Sequence, residues 1–396
     1  MRPTMLRVKT RLSIAISFAL LSVPAVQAAQ TDLDFRLRFE SVEQDNTAKD
    51  ASGLTLRTRL THKTDEYNGF SGVVEFEDVR TLLGVSDYNN TQGDYTEYSV
   101  IADPKGTELD QGFIQYKKDA FSAKVGRQVI KLDGVRFVGD VGWRQDRQTF
   151  DAATLNYTFS KDIALQYSFI NKRNRIFADT RDIDSTDHLI NASFNTDFAK
   201  FVVYSYLLSD DDLTDNSLNT FGASFKGKKK LDSGTVLYSG EIATQSSETA
   251  GVEFDANYYM LEVGYGFKGI TAKLGFESLG SDDANYGFST PLATLHKFNG
   301  WADTFLTTPA QGLDDLYVSA TGKAFKGKWL VAYHNYSANE ATSTVDDLGS
   351  EINIQYVKPI AKKYAVGVKY ADYSAGDSGA NKVDTQKLWV WVSAKF

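Results

Sequence analysis

The sequence predicts an all-β protein, a transmembrane antiparallel up-and-down β-barrel of about 18 strands with short periplasmic turns and long extracellular loops. Three observations predict this fold class. Apolar and polar residues alternate with a period of two over many segments, short and long connections alternate between those segments, and aromatic residues cluster beside the short connections. Together they are typical of a barrel whose outer wall faces lipid.

The N-terminal segment, residues 1–28, is predicted to be a secretory signal peptide, and residues 29–396 are predicted to form a single barrel domain. Four basic residues precede an apolar run from Leu12 to Val23, and a stretch with small residues, Val26–Ala29, follows it. An apolar run of about a dozen residues is too short to span a bilayer of roughly 30 Å. Export is therefore expected, and a transmembrane anchor is not.

Charge and cysteine content narrow the function classes. Removal of the four basic residues changes the formal net charge from −8 to −12, which argues against binding of nucleic acid through overall charge. The chain has no cysteine, so the exported fold must be stabilised by hydrogen bonds and packing without disulfides. No later stretch approaches the roughly eighteen apolar residues of a transmembrane helix.

The first strand shows the alternation most clearly. From Leu33 to Glu40 the odd-numbered residues are apolar and the even-numbered residues are charged, which gives a strand one apolar and one polar face. Segments of about ten residues bounded by turn residues predict roughly eighteen strands, an even number as in single-chain bacterial barrels. The predicted spans are 33–44, 51–64, 70–83, 108–119, 121–132, 149–160, 163–174, 187–198, 199–210, 217–228, 233–246, 253–268, 269–281, 314–326, 327–339, 349–360, 364–376 and 385–396.

The connections between these strands alternate in length. Those at 118–120, 160–162, 268–269 and 326–327 are tight, and the longest of the inner turns is expected at about Gly227 to Gly234. Long connections are expected at 80–107, 131–149 and 280–313. Short periplasmic turns and long outer loops are the usual arrangement of such barrels.

Aromatic residues beside the short turns predict an interfacial girdle, because amphipathic rings prefer the level of the lipid headgroups. A soluble sandwich or β-solenoid, the structural alternative, explains neither this girdle nor the alternating loops. The girdle residues are Tyr67, Phe70, Phe121, Phe159, Phe198, Phe201, Phe267, Phe325, Trp329 and Tyr364.

The last strand carries Leu388, Val390, Val392 and Ala394 on one face and ends on Phe396. It resembles the C-terminal strand that the outer-membrane barrel assembly machinery recognises. Because every backbone polar group in lipid needs an internal partner, this strand is expected to pair with the first one and close the barrel.

If the apolar residues face lipid, the alternate residues line the lumen. Guanidinium groups bind carboxylates with paired hydrogen bonds, so a wall rich in arginine suggests an anionic solute. The predicted pore-lining path comprises Arg36, Arg38, Arg57, Arg59, Lys124, Arg127, Arg136, Arg144, Arg147, Arg173 and Arg175. The opposing acidic wall comprises Glu75, Glu77, Glu241, Glu262 and Glu277.

Two interpretations of this lining stay open. In one, the arginines recruit an anionic solute and pass it through the pore by electrostatic focusing. In the other, Glu75 and Glu77 neutralise Arg57 and Arg59 across the sheet, and the charge field merely crosses the pore of a general diffusion porin. A wide aqueous lumen needs a polar lining in either case.

Two segments are too irregular for plain strands. Gly126–Asp151 carries four arginines among glycines and aromatic residues, and its length and charge suit a loop folded inward as a constriction. The second, 280–313, contains Trp301 and Phe305 and is expected to pack on itself or over the entrance. Arg173, Arg175 and Arg181 are expected at the mouth.

These segments carry a family resemblance. The GRQ element followed by RFVG, GWRQ and QTFDA, together with HKFNGWAD, resembles the alginate-export family of outer-membrane proteins. The resemblance implies a monomeric 18-stranded barrel whose electropositive pore passes an acidic polysaccharide outward. The matching positions are Gly126, Arg127, Gln128, Arg136, Phe137, Gly139, Trp143, Arg144, Gln145, Phe150, Asp151, His296, Phe298, Gly300, Trp301 and Asp303.

The sequence therefore predicts a channel of the Gram-negative outer membrane for passive passage of anionic saccharides. Expected partners are outer-membrane lipid and lipopolysaccharide, the barrel assembly machinery and the saccharide itself, and no nucleic acid. General diffusion of small hydrophilic solutes, or a role as adhesin or receptor, is the alternative. No enzyme activity, cofactor or metal is expected, because no serine motif, cysteine or histidine cluster accompanies His62, His188, His296 and His334.

Overall fold

The computed structural model describes residues 29–396, and the predicted signal peptide at 1–28 lies outside the described residues. Within this range, eighteen strands form one antiparallel sheet. They are β1 (Gln30–Gln44), β2 (Ala51–Lys63), β3 (Phe70–Asp87), β4 (Gly106–Lys118), β5 (Phe121–Gln128), β6 (Thr149–Thr158), β7 (Ile163–Asn174), β8 (Ile183–Asn195), β9 (Ala199–Leu208), β10 (Asn216–Leu231), β11 (Gly234–Thr249), β12 (Val252–Phe267), β13 (Ile270–Leu279), β16 (Leu313–Ala324), β17 (Gly327–Ser337), β18 (Asp347–Pro359), β19 (Tyr364–Ser374) and β20 (Thr385–Lys395).

A two-residue hairpin, β14 (Ser281–Asp282) and β15 (Tyr286–Gly287), lies outside this sheet, as do two 3₁₀ turns, Leu295–Lys297 and Ser378–Ala380. Among residues 29–396 no helix combines the length and the hydropathy needed to cross a membrane.

The sheet closes on itself. Each strand pairs with its neighbours in sequence, and β20 pairs antiparallel with β1. At this seam the backbone N–H of Phe396 donates to the carbonyl of Leu33 at 2.9 Å, and the N–H of Leu33 donates to the carbonyl of Phe396 at 3.0 Å. Closure leaves the sheet without a free edge, which is what a strand-built membrane wall requires.

All eighteen predicted strands are present, which confirms the predicted fold class. The predicted inner turn at Gly227 to Gly234 is wrong, because β10 and β11 stay paired as far as Leu231 and Gly234. The three consecutive lysines at 228–230 interrupt the alternation of apolar and polar residues, although the strand continues through them. β5 is shorter than predicted and ends at Gln128, where the chain turns into the lumen.

The two faces of the wall differ in character. On the outward face apolar side chains are exposed, as at Ile114 (64%) and Val125 (60%), because only lipid would cover them. On the inward face polar residues are buried under loops, and Arg38 has no exposed surface. The alternation in the sequence therefore becomes an apolar exterior and a polar interior.

The end of the barrel with the short turns is called the inner end, and the end with the long loops is called the outer end. The inner turns are 64–69, 119–120, 159–162, 196–198, 232–233, 268–269, 325–326 and 360–363. The long outer connections are 88–105, 129–148 and 280–312, and the outer turn at 250–251 is the short exception.

Two of the outer loops fill the lumen. The first inward loop is 129–148 and the second inward loop is 280–312. They join each other through a bridge between Val138 and Leu292, where the N–H of Gly139 donates to the carbonyl of Leu292 at 2.8 Å. Both contribute to one buried apolar cluster with inward residues of the wall such as Phe150. The second inward loop thus packs inside the barrel, whereas packing on itself or over the entrance was expected.

Gly126 lies where β5 meets β4. Its φ of +123° is rarely adopted by residues with a side chain, and a Cβ there would lie 2.3 Å from the carbonyl oxygen of Gly112. We expect Gly126→Ala to destabilise the barrel by about 1–3 kcal/mol, seen as a lower temperature at which the folded form is lost on SDS gels. Gly134→Ala is the control, because no heavy atom lies within 4 Å of a Cβ at that position; equal transition temperatures would contradict the prediction.

Candidate functional site

The arginines of β1 hold the first inward loop. Arg36 donates from Nε to the side-chain carbonyl of Gln145 at 2.9 Å and from a terminal nitrogen to the carbonyl of Gly142 at 3.2 Å. Arg38 donates to the carbonyl of Trp143 and forms an ion pair with Asp103. A loop inside a barrel has carbonyls that need donors, because water is largely excluded there. Both predicted pore residues therefore face the lumen and are used in part to anchor the loop.

Arg144 links the wall to both inward loops. From the first inward loop it reaches Glu40 on β1 at 3.0 Å and Asp303 of the second inward loop at 2.9 Å. Lys387 on β20 also contacts Asp303, at 3.1 Å. Burial alone would lower the pKa of Arg144, but the carboxylates of Glu40, Asp303 and Asp103 raise it. The guanidinium is therefore charged and fully engaged.

His296 lies in an aromatic and cationic cluster between the two loops. Its ring stacks on Trp143 with centroids 5.1 Å apart. Lys369 on β19 donates to Nε2 of His296 at 2.9 Å, and its Nζ lies 3.8 Å from the ring centroid of Trp143 and 4.1 Å from that of Trp301. Cations are attracted to indole faces, more strongly where water is excluded. One wall lysine therefore contacts both inward loops.

The protonation of His296 follows from its partners. Since Nε2 accepts from Lys369, Nδ1 carries the proton and donates to Asp303 at 2.6 Å. Burial lowers the pKa of His296 to about 3, against the opposing effect of Asp303. Burial alone would raise the pKa of Asp303, but His296, Lys387 and Arg144 hold it well below its ordinary value. A neutral imidazole bonded to a carboxylate is the state of this cluster.

The second strand and its neighbours form ion pairs across the lumen wall. Arg59 pairs with Glu77, as the neutralisation hypothesis predicted, and also lies 3.4 Å from Asp110. Glu75, in contrast, pairs with Arg147 of the first inward loop and forms no ion pair with Arg57. The remaining pairs are Arg57 with Asp34 and Arg147 with Asp110 and Glu75.

The acidic residues of the opposite wall have partners as well. Glu277 receives Arg136 of the first inward loop at 2.7 Å and the amide of Asn299 of the second at 2.8 Å. Glu241 accepts from the hydroxyl of Tyr204 at 2.9 Å, and Glu262 accepts from Lys273 at 2.7 Å. Glu277 is thus an anchor for both loops on this side of the barrel.

Three further predicted residues have different surroundings. Lys124 faces the lumen over the ring of Phe113, with Nζ 4.4 Å from its centroid. Arg173 is buried against Asp187, with a shortest distance of 2.6 Å. Arg127 does not line the lumen: it follows the outward Val125 by two residues and pairs with Asp151 at 2.7 Å on that face. Its predicted place on the pore path is corrected by the alternation of β5 itself.

Two cavities in the lumen lie on either side of the second inward loop. The inner cavity, of about 460 Å³, is lined by residues such as Arg136, Lys226, Glu241, Lys297 and Trp301. Its lining includes both acidic and basic side chains, and several of them pair with each other, as at Lys273 and Glu262.

The outer cavity, of about 520 Å³, has a different balance of charge. Four basic side chains line it, with one carboxylate, that of Asp303, and the neutral His296. The basic residues are Arg144, Arg175, Lys382 and Lys387. Since His296 and Ala302 line the outer cavity and residues 297–299 and Trp301 line the inner one, the segment 296–303 is the partition between them.

Arg175 and Lys382 form no ion pair with a carboxylate among residues 29–396. Arg175 lies over the ring of Phe177 at 5.4 Å, and Lys382 donates to the carbonyl of Thr304 at 3.1 Å. Burial lowers the pKa of Lys382, and burial followed by the charges of Arg173 and Arg181 lowers that of Arg175. A cation that is desolvated without a counter-charge favours an anionic ligand.

The sequence predicted Arg144 and Arg175 for the pore, but it did not indicate Lys369, Lys382 or Lys387. These lysines come from β19, β20 and the connection between them, far along the chain from the arginine-rich half. Lys369 lies between Val368 and Tyr370, and Lys387 precedes Leu388 of the apolar outward face, so their inward direction was available from the period of two. The contacts of these lysines with the two inward loops could not be predicted from this alternation.

Comparisons with known proteins agree with this architecture. The family model for alginate export matches residues 28–278, and no curated protein matches the sequence significantly. OccAB1 of Acinetobacter baumannii has a similar structure, with a TM-score of 0.73 at 14% identity, covering 93% of this chain and 96% of that chain. OccK9 (OpdG) of Pseudomonas aeruginosa has a TM-score of 0.71 at 12% identity, covering 93% of this chain and 98% of that chain. OpdK of the same organism, with vanillate, has a TM-score of 0.69 at 14% identity, covering 92% of this chain and 98% of that chain.

Proposed function

Since the chain belongs to the alginate export family and is a channel of the Gram-negative outer membrane, we propose that it passes anionic saccharides of the alginate type, passively, through a basic pore. The outer cavity carries this proposal, because two of its four basic side chains, Arg175 and Lys382, have no carboxylate partner among residues 29–396. Carboxylates of a uronic acid would replace the counter-charges that Arg175 and Lys382 lack. The work of this site is binding and selection, with no catalytic step.

The arginines of the first two strands have a different part in this proposal. Arg36 and Arg38 hold the first inward loop in place, and Arg57 and Arg59 are paired with carboxylates. Their charge contributes to the field of the lumen, whereas direct solute contact is assigned to the outer cavity. A polymer would need the partition at 296–303 to move, because that segment separates the two cavities.

A second candidate is passage of small organic carboxylates. One observation favours it: apolar side chains, Ile176, Phe177, Leu295 and Leu306, share the lining of the outer cavity with the four cations. Such a mixture suits an amphipathic carboxylate better than a fully hydroxylated sugar. General diffusion and a receptor role are weaker candidates, because neither calls for partly buried cations without a carboxylate partner.

The surroundings of the barrel follow from its place in the membrane. Outer-membrane lipid and lipopolysaccharide cover the apolar outward face. We further propose that the last strand, whose outward residues include Leu388 (37% exposed) and Val390 (46%), is the part of the chain that engages the barrel assembly machinery.

Replacement of both Arg175 and Lys382 by alanine is expected to weaken block of the channel by oligouronates about tenfold or more, since each lost charge-assisted contact contributes about 1.5–3 kcal/mol. Anion selectivity, measured as the reversal potential in a salt gradient across a planar bilayer, should fall as well. Arg80→Ala with Lys161→Ala is the control with the same change in charge, because Arg80 lies on the outward face and Lys161 is 91% exposed in an inner turn.

The two candidates differ in the blocker they predict. Block by oligouronates that the double variant weakens supports the saccharide, and block by benzoates alone supports the small carboxylates. A weakly selective pore that is indifferent to both blockers and to the variant would contradict both candidates and leave a general porin.

A further inference from the structure

Lysines meet at the inner mouth of the barrel in pairs. Lys200 on β9 lies directly opposite Lys226 on β10, and Lys323 on β16 lies directly opposite Lys328 on β17. Opposite residues of an antiparallel pair share one face, with Cβ atoms about 5 Å apart, and like charges there destabilise the sheet. Two such pairs at one end destabilise the sheet, and neither the fold nor the outer cavity requires them.

The first pair points into the lumen. Val202 and Tyr204, the next alternate residues of β9, are buried in the luminal cluster, and Tyr204 contacts Phe137 of the first inward loop with ring centroids 5.2 Å apart. Lys200 precedes Val202 by two residues and therefore lies on the same face, as does Lys226 opposite it. Both also line the inner cavity.

The hairpin of β10 and β11 continues this face beyond the neighbouring strand. β9 pairs with β10 only as far as Ala199 opposite Gly227, whereas β10 and β11 stay paired to Leu231 opposite Gly234. Lys228 and Lys230 follow Lys226 at steps of two residues, roughly 7 Å each. They therefore lie on the luminal face, in the part of the β10–β11 hairpin that extends beyond β9, where β12 still pairs with β11 as far as Thr235 opposite Gly266.

The loop side of the inner cavity adds another cation. Lys297 donates to the carbonyl of Gly134 at 2.6 Å. Lys226, Lys273 and Lys297 all line the inner cavity. Burial, and then the charges of Lys226 and Lys273, lower the pKa of Lys297. Lys273 is paired with Glu262 and Lys200 lies 3.4 Å from Asp133. Lys226, by contrast, has no ion-pair partner in the part of the chain that the structure describes.

Two connections at the outer end carry only negative charge. The connection 209–215 contains four aspartates and no basic residue, and the connection 338–346 contains Glu340 and Asp346 and no basic residue. An anion at the outer end therefore meets two connections that carry only carboxylates, whereas the lysines lie at the periplasmic end. Fields of this kind change association rates by about 10- to 1,000-fold at low ionic strength.

We infer that Lys200, Lys226, Lys228 and Lys230 form an anion-binding site at the periplasmic mouth, which captures anionic oligosaccharides from the periplasm and delivers them to the inner cavity. The inference rests on the proposed function and deepens it, because it names the residues that first bind the solute at the periplasmic end. It adds a second site, at the opposite end of the lumen from the outer cavity.

The test measures block from each side separately. Single channels of the full chain carrying Thr214→Cys in an outer loop are inserted in a planar bilayer, and a bulky maleimide added to one chamber identifies the side that this loop faces, since the chain has no other cysteine. Oligouronate is then added to one side at a time. We expect the rate of blocking events to be about tenfold higher from the periplasmic side at low salt.

The variant Lys226→Gln/Lys228→Gln/Lys230→Gln should remove this preference. Its control is Lys161→Gln/Lys229→Gln/Lys268→Gln, which loses the same charge at the inner end outside the lumen; Lys229 lies opposite Val236 on the outward face. Equal block from both sides of the parent, or the same loss in variant and control, would overturn the periplasmic site and leave the proposed function standing. No block from either side would overturn both.

Discussion

Arg144→Ala is expected to release the two inward loops and to increase the single-channel conductance. The substitution leaves Glu40 and Asp303 buried without the guanidinium that joins them at 3.0 and 2.9 Å, and Asp103 loses a neighbouring positive charge. Removal of one partner from a buried charge network costs about 3–5 kcal/mol. Only the attachment of the loops depends on this network, so the barrel itself should still form.

The measurements are single-channel conductance in planar bilayers and proteolysis of the loops in folded protein, which should become faster. Arg80→Ala is the matched control, because its guanidinium is 54% exposed on the outward face beside Asp78 and an exposed pair contributes at most about 1 kcal/mol. Unchanged conductance and proteolysis in Arg144→Ala would show that the loops do not depend on this network.

Acidification is expected to loosen the same loops through His296. The pKa of His296 in the folded protein is about 3, below the value of about 6.5 for an exposed histidine. The neutral ring therefore stabilises the packed loops fully above pH 6.5, and this contribution declines as the pH falls toward 3. A shift of this size corresponds to a contribution on the order of 5 kcal/mol.

The charged groups around the ring explain the sign. A proton on Nε2 would remove the acceptor of Lys369 and place a second cation beside it, and the charge of Arg144 lies nearby as well. Asp303 alone favours the charged ring. The packed arrangement is consequently disfavoured once the imidazole is protonated.

The pH dependence is measured as conductance and open fraction between pH 7 and pH 3.5. We expect both to increase in the parent as the pH falls, and to change much less in His296→Gln, whose amide keeps hydrogen bonds without titrating in this range. His188→Gln serves as the control, since His188 bonds to the hydroxyl of Tyr167 at 2.9 Å away from the loops. Identical profiles for the parent and His296→Gln would exclude this histidine as the sensor.

The barrel was predictable because its signal is local. A period of two shows in each strand separately, and the need to bury every backbone polar group in lipid then fixes closure between β1 and β20. The same alternation would have placed Arg127 outward, two residues after Val125. Arg127 was assigned to the pore because it lies in an irregular segment that is rich in arginine.

The site was only partly predictable, because its parts are distant in sequence. Arg175 follows β7, Lys382 precedes β20 and Asp303 belongs to the second inward loop, and no periodicity links these positions. The inward direction of Arg36 and Arg38 follows from alternation, but their acceptors are loop carbonyls, which carry no sequence signal. A charged residue on the luminal face is therefore expected to need a hydrogen-bonding or ionic partner, but the sequence does not indicate which loop supplies that partner.

The hydrogen bonds between Leu33 and Phe396 also bear on how the protein is made. The strands on either side of this seam are at opposite ends of the sequence, so the contact that completes the wall is the one with the greatest chain separation. Such contacts form slowly, because the entropy of closing a long loop must be overcome first. Until the last strand arrives, the sheet has two open edges, which are templates for pairing with other chains. Biogenesis must therefore keep the exported polypeptide from aggregating until its final residues have been delivered to the membrane.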